Sequence, residues 1–234
     1  MKKQLTTCIY CGCSPGTTDD HVPPRKIFAK PYPPNLKTVP ACRPCNEGFS
    51  KDDEYFKQWL TVPDLAKGHP DREGVIDSVV RSLNRREAPG LRRMFQASTI
   101  PAERYSEAGI YVGEGKLISM DGKRISATVE RTTRGLFFLE TGEPLPPNGT
   151  VNVLDPARFK LLDDATKAAI SNFVTALKSK PKREIGRAFD YQWMPSPNQK
   201  LRSVWLMRFY ETHTYFCQTY EPEDADCTDA ELPD

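Results

Sequence analysis

The spacing of apolar and polar positions divides the chain into a first stretch with little periodicity and a longer one with a good deal of it. Across 46–60, Phe49, Phe56 and Leu60 fall near helical spacing while Lys51, Asp52, Asp53 and Lys57 face elsewhere, which predicts an amphipathic helix ended by Val62-Pro63. A second helix is predicted over 71–86, with Ile76, Val79, Val80 and Leu83 as its buried stripe and Pro89-Gly90 as the break. From 108 to 126 the pattern becomes strand-like, and Asp121-Gly122 between two alternating runs reads as a hairpin turn. Residues 127–140 fit either a helix or a strand. The strongest helical pattern runs over 163–178, where Ala169, Ile170, Phe173, Val174 and Leu177 share a face. Three strands, 189–193, 203–210 and 213–220, then close the chain as an antiparallel meander.

The expected fold class is therefore α+β. Its parts are an N-terminal module over 1–62, a mixed helix and antiparallel-strand domain over 63–220, and an acidic tail over 221–234. No internal repeat is visible. The first 62 residues are rich in Cys, Pro and basic residues and poor in apolar periodicity, so something besides hydrophobic burial is expected to hold them.

Charge sharpens this picture. The net charge of +2 hides an uneven distribution, because seven of the 31 acids fall in the last fourteen residues, leaving 33 cationic side chains against 24 acids in the rest. A basic body of this kind is the electrostatic footprint of a phosphate-binding protein, and the tail reads as a solubilising, disordered segment. No apolar run approaches the length of a bilayer span, and no apolar stretch follows Lys2-Lys3, so the expectation is a cytoplasmic chain with no membrane partner. In a reducing compartment seven cysteines are more naturally metal ligands or buried thiols than disulfides.

Four of the seven form two pairs, Cys8-x-x-Cys11 and Cys42-x-x-Cys45, the spacing of a tetrahedral four-cysteine zinc site built from two knuckles. Such a site supplies on the order of 10 kcal/mol to a small module, which would account for a core-poor segment that folds. Cys13 competes with Cys11 as a ligand, but a single residue between thiols suits a knuckle less well, so it is left free. Between and after the knuckles stand Asp19-Asp20-His21-Val22-Pro23-Pro24, then Asn35-Leu36, then Asn46 directly after Cys45.

This order resembles the HNH endonucleases in their four-cysteine form, over about residues 8–56. The resemblance implies a ββα-metal module, cleavage of DNA to 5′-phosphate and 3′-hydroxyl ends, and a bound Mg²⁺ or Mn²⁺ beside one structural Zn²⁺. It places His21 as general base, Asp20 and Asn46 as ligands of the catalytic cation, and Asn35 as a support that holds the loop carrying His21. Each role has a physical reason. An imidazole titrates near neutrality and so can accept a proton from water. A carboxylate and an amide oxygen suit a hard octahedral cation, and an all-oxygen set favours Mg²⁺ or Mn²⁺ over Zn²⁺ or Ni²⁺. Adjacent strand residues point to opposite faces, so Asp20 and His21 share a site only if the strand ends or bulges there, and Asp19 stays in reserve as a ligand.

Two positions depart from the family's pattern. Asn46 stands where many members have His, and Ser50 where some have a further metal-binding His. Arg25, Lys26, Lys30, Lys37, Arg43 and Lys51 cluster around the motif as phosphate contacts, and Arg81, Arg85, Arg86, Arg92 and Arg93 form a second basic group. DNA is the expected partner, with a homodimer or a regulatory protein as further candidates. The rival reading is a zinc ribbon that docks on nucleic acid or protein without catalysis.

Overall fold

In a computed structural model of the chain, residues 7–62, 66–84, 99–106 and 108–221 are described. The Pro89-Gly90 break, all of the second basic group except Arg81, and all of the acidic tail except Glu221 lie outside them. The first elements are strand β1 (Thr18–Val22), a 3₁₀ turn (Arg25–Ile27), strand β2 (Lys37–Ala41), and helices α1 (Arg43–Gly48) and α2 (Ser50–Thr61). β1 and β2 form an antiparallel pair with an unbroken register from Thr18↔Ala41 to Val22↔Lys37. The helix expected over 46–60 is thus two helices meeting at Phe49.

Helix α3 (Pro70–Asn84) follows, its stripe running through Val75 and Val79, with Ile76 half-buried and Val80 exposed. Strands β3 (Thr99–Tyr105) and β4 (Tyr111–Ile118) pair, among the described residues, only with each other, and Ile100, Tyr105, Tyr111 and Val112 are exposed. The hairpin turn expected at Asp121-Gly122 is not one. The Asp121 carboxylate accepts from the amides of Lys123 and Arg124 and so caps a 20-residue helix, α4 (Gly122–Thr141), which takes up the ambiguous stretch 127–140. The same side chain that closes a turn also caps a helix, and here the apolar run that follows is helical.

The remainder is strand β5 (Thr150–Leu154), short helix α5 (Pro156–Leu161), helix α6 (Asp164–Lys178), and strands β6 (Arg183–Ile185), β7 (Phe189–Pro195), β8 (Ser203–Phe209) and β9 (His213–Tyr220). They make one antiparallel sheet in the order β5-β9-β8-β7-β6, which contains the expected meander. Side-chain alternation splits the sheet's residues cleanly. Phe189, Tyr191, Trp205, Met207, Phe209, Tyr215 and Cys217 join the main core, whereas Val204, Leu206 and Phe216 meet Leu177, Ile170 and Val174 of α6 on the other face. β8 is apolar at successive positions because both of its faces are covered.

Residues on both sides of 62–63 share the main core. Ile9, Val22, Ile27, Val39, Phe56 and Leu60 lie in it with Val129, Leu136, Phe137 and Phe209, and the Phe56 and Phe209 rings meet edge to face at 5.0 Å. Helix α4 is the link. At Gly135 a Cβ would fall 2.4 Å from Cγ2 of Val22, so only glycine lets α4 lie this close to β1. No helix among the described residues is long and apolar enough to cross a membrane.

One buried group ties this core to pH. His213 is 5% exposed, sits 5.6 Å from the Trp59 ring, and is pushed down to about 4 by burial. It is uncharged in the native chain at neutral pH, while the unfolded chain takes up this proton near pH 6.5. Between those values the unfolded state binds more protons, so native stability falls as the pH falls, by up to about 3 kcal/mol from this residue. Denaturant unfolding at pH 7 and pH 4.5 is expected to show a smaller loss for His213→Gln than for wild type. Equal losses would remove His213 as the cause.

Candidate active site and metal centre

The cysteine cluster is assembled from a turn and a helix start. Residues 8–14 fold back on themselves through Cys8 N–H to Ser14 O (2.8 Å) and Gly12 N–H to Cys8 O (3.0 Å), with Gly12 at φ +65°. Ile9 N–H donates to Pro40 O, which fastens this turn to β2. Cys42 occupies the N-cap position of α1, making no side-chain capping hydrogen bond, and Cys45 lies within the helix, with Pro44 in the first turn where its missing N–H costs nothing. All four Sγ atoms lie within 4.8 Å of one another, and those of Cys11 and Cys42 are 3.9 Å apart. A tetrahedral zinc with Zn–S bonds of about 2.3 Å needs sulfurs about 3.8 Å apart, so the four thiols fit it.

The backbone amides of Cys13 and Ser14, pointing at Cys11, pull its thiol down to about 6, while burial and the adjacent Cys42 thiol push Cys45 up. Four thiolates this close repel one another unless a cation joins them. Cys13 stays outside the cluster, its Sγ 3.0 Å from the Cys11 carbonyl.

Beside this cluster lies a cavity of 330 Å³. Its walls include Asp19, Asp20, His21, Arg25, Lys26, Arg43, Asn46, Ser50 and Asp53. Asp20 and His21 reach it together although β1 neither ends nor bulges between them. Among the described residues β1 pairs with β2 alone, and its consecutive residues Asp19, Asp20 and His21, which alternate between its two faces, all line the cavity together with residues of α1 and α2.

The polar atoms here are divided between those in use and those left over. Asp20, 5% exposed, accepts from the Tyr10 hydroxyl at Oδ2 (2.6 Å) and has Nε of Arg131 at 3.8 Å from the same oxygen. Its Oδ1 has no hydrogen-bond partner among the described residues. Asn46 donates through Nδ2 to Thr18 Oγ1 (3.0 Å) and Asp19 O (3.4 Å), and Thr18 in turn donates to Ala41 O. That orientation leaves Oδ1 of Asn46 likewise unpartnered among the described residues. One supported carboxylate oxygen and one supported amide oxygen make a donor set that suits a hard divalent cation.

His21 is half-buried, and its ring makes no hydrogen bond among the described residues. Burial and the nearby Arg25 hold its pKa below the usual value, so the imidazole is neutral at neutral pH. Arg25 is exposed with no ion pair among the described residues, whereas Lys26 reaches Ser50 O and Glu54, and Arg43 reaches Glu47. Lys30, Lys37 and Lys51 do not line the cavity.

Asn35 lies elsewhere. It donates to Glu184 O (2.8 Å) and accepts from the Gly186 amide (3.1 Å), so it fastens the β1–β2 connection to the edge of the large sheet rather than bracing His21. Four residues in or beside the site escaped the sequence reading. Asp53, expected to face away, lines the cavity, and its spacing of seven from Asn46 and three from Ser50 was the available signal. Lys57, expected to face away as well, is buried against Glu54. Arg131 and Tyr10 reach Asp20 from distant positions and carried no local signal. No protein-family model, curated protein or solved structure matches this chain, so the geometry alone carries the functional argument.

Proposed function

We propose that this chain is a metal-dependent endonuclease of the HNH type that hydrolyses phosphodiester bonds in DNA. The observation that carries the reading is the meeting of Asp20, His21 and Asn46 in one cavity, with one oxygen of each ligand and the whole imidazole left without a partner among the described residues. His21 accepts the proton of the attacking water. Asp20 and Asn46 hold Mg²⁺ or Mn²⁺, which when bound supplies positive charge to the phosphate and the leaving oxygen. Arg25, Lys26 and Arg43 line the same cavity and hold the non-bridging phosphate oxygens. A zinc held by the four cysteines would fix the 8–14 turn to the end of β2 and the start of α1 beside that cavity.

A second reading, a zinc-ribbon binding module without catalysis, draws on the Asp20–Tyr10–Arg131 contacts, which a purely structural polar cluster would also make. Incubating the purified protein with supercoiled plasmid, linear duplex, single strands and RNA separates the two. Cleavage of DNA in Mg²⁺ or Mn²⁺, abolished by EDTA, is the expected result. Binding without cleavage of any substrate in either metal would support the ribbon.

A further inference from the structure

We infer that Arg131, on a helix outside the ββα region, is a positioning residue of the cavity that aims Asp20 at the bound cation. This rests on the proposed metal site. Arg131 is 5% exposed and lies one turn before Gly135, the point where α4 touches β1. Its Nη2 bonds Oδ1 of Asp53, its Nε lies 3.8 Å from Oδ2 of Asp20, and its guanidinium covers the Phe49 ring at 4.5 Å. The planar fork therefore spans two carboxylates from different elements with a fixed geometry that a flexible ammonium lacks.

The consequence for Asp20 is directional. The Tyr10 hydroxyl bonds Oδ2 and the Arg131 charge faces the same oxygen, which favours one orientation of the carboxylate and leaves Oδ1 without a hydrogen-bond partner among the described residues. Asp53 is the second anchor, because it holds the guanidinium from α2 while Asp20 holds it from β1. Helices α2 and α4 and strand β1 thus meet at this one cation, and the site's geometry depends on the part of the chain after residue 62. Supports of this kind typically change metal affinity by about 10- to 100-fold when removed.

The test is titration of zinc-loaded, full-length protein with Mn²⁺ alone, read by the electron paramagnetic resonance of free Mn²⁺, with zinc content and thermal unfolding recorded for each variant. R131M is expected to bind Mn²⁺ about 10- to 100-fold more weakly while keeping one zinc per chain, and to regain most cleavage at saturating Mn²⁺. R131K is expected to recover part of the affinity. Should R131M fail to fold, the double variant D53N/R131M decides, since it leaves no unpaired buried charge on α2. A folded Arg131 variant that binds Mn²⁺ within about twofold of wild type, while D20N has lost binding, overturns the inference and leaves the metal site standing. Wild-type Mn²⁺ affinity in D20N instead overturns the metal site itself.

Discussion

Replacing Cys42 or Cys45 by serine is expected to abolish zinc binding and to unfold the chain at ordinary temperatures. Each cysteine is one of four sulfurs within 4.8 Å of one another, and a three-sulfur remnant with a neutral hydroxyl binds zinc far more weakly. A structural zinc contributes on the order of 10 kcal/mol, against a net domain stability of roughly 5–15 kcal/mol, so its loss uses up most or all of the margin. The damage is not expected to stay within the cysteine region. Ile9, one residue from Cys8, and Val39 and Val22 on the strands beside the knuckles belong to the same core as Phe137 and Phe209. Zinc content, thermal unfolding and amide exchange in the large sheet are the measurements. A zinc-free Cys42→Ser protein that melts at the wild-type temperature would show that the cluster is four reduced thiols in an otherwise self-sufficient core. Cys13→Ser, outside the cluster, is the control expected to change neither zinc content nor melting.

That shared core marks where sequence reading worked and where it could not. The helix around Leu177, the strands around Trp205 and Phe216, and the cysteine quartet were legible because their signals are local: a period of 3.6, a period of 2, and a repeated C-x-x-C. Asp121 misled because an Asx side chain serves a turn and a helix cap equally well, and only the burial of Val129 and Leu136 beyond it decides between them. The poverty of apolar periodicity in the first 62 residues was real. Its cause is that those residues complete a core whose larger part comes from α4 and the sheet, and no window of the sequence shows that. Arg131 illustrates the same limit at the cavity. In the sequence it is one more polar position in a stretch that fits either a helix or a strand, and its value arises only where Gly135 brings the helix that forms there against Val22.

His21→Ala is expected to abolish DNA cleavage while sparing zinc content, fold and DNA affinity. The imidazole makes no hydrogen bond among the described residues, so its removal strips no structural partner, and neither Asp20 nor Asn46 depends on it. Loss of a general base typically costs on the order of 10² to 10⁴ in rate. Asp20→Ala and Asn46→Ala are expected to fail in a different way. Each removes an oxygen that the cavity offers to the cation, so added Mn²⁺ or Mg²⁺ restores part of their activity, whereas the His21 variant stays inactive at every metal concentration because what it lacks is a proton acceptor. Asn35→Ala provides the contrast. Its amide spans Glu184 and Gly186 on the large sheet, so it is expected to lower stability by about 1 kcal/mol or more and to leave the metal dependence of cleavage unchanged. Cleavage rate against metal concentration, measured for these four variants and wild type, separates base from ligand from strut. A His21→Ala protein that cuts at the wild-type rate would end the endonuclease mechanism built on this residue. A Mn²⁺-rescued His21→Ala protein would recast His21 as a ligand, with the base still to be found among Asp19, Glu47 and Asp53 on the same walls.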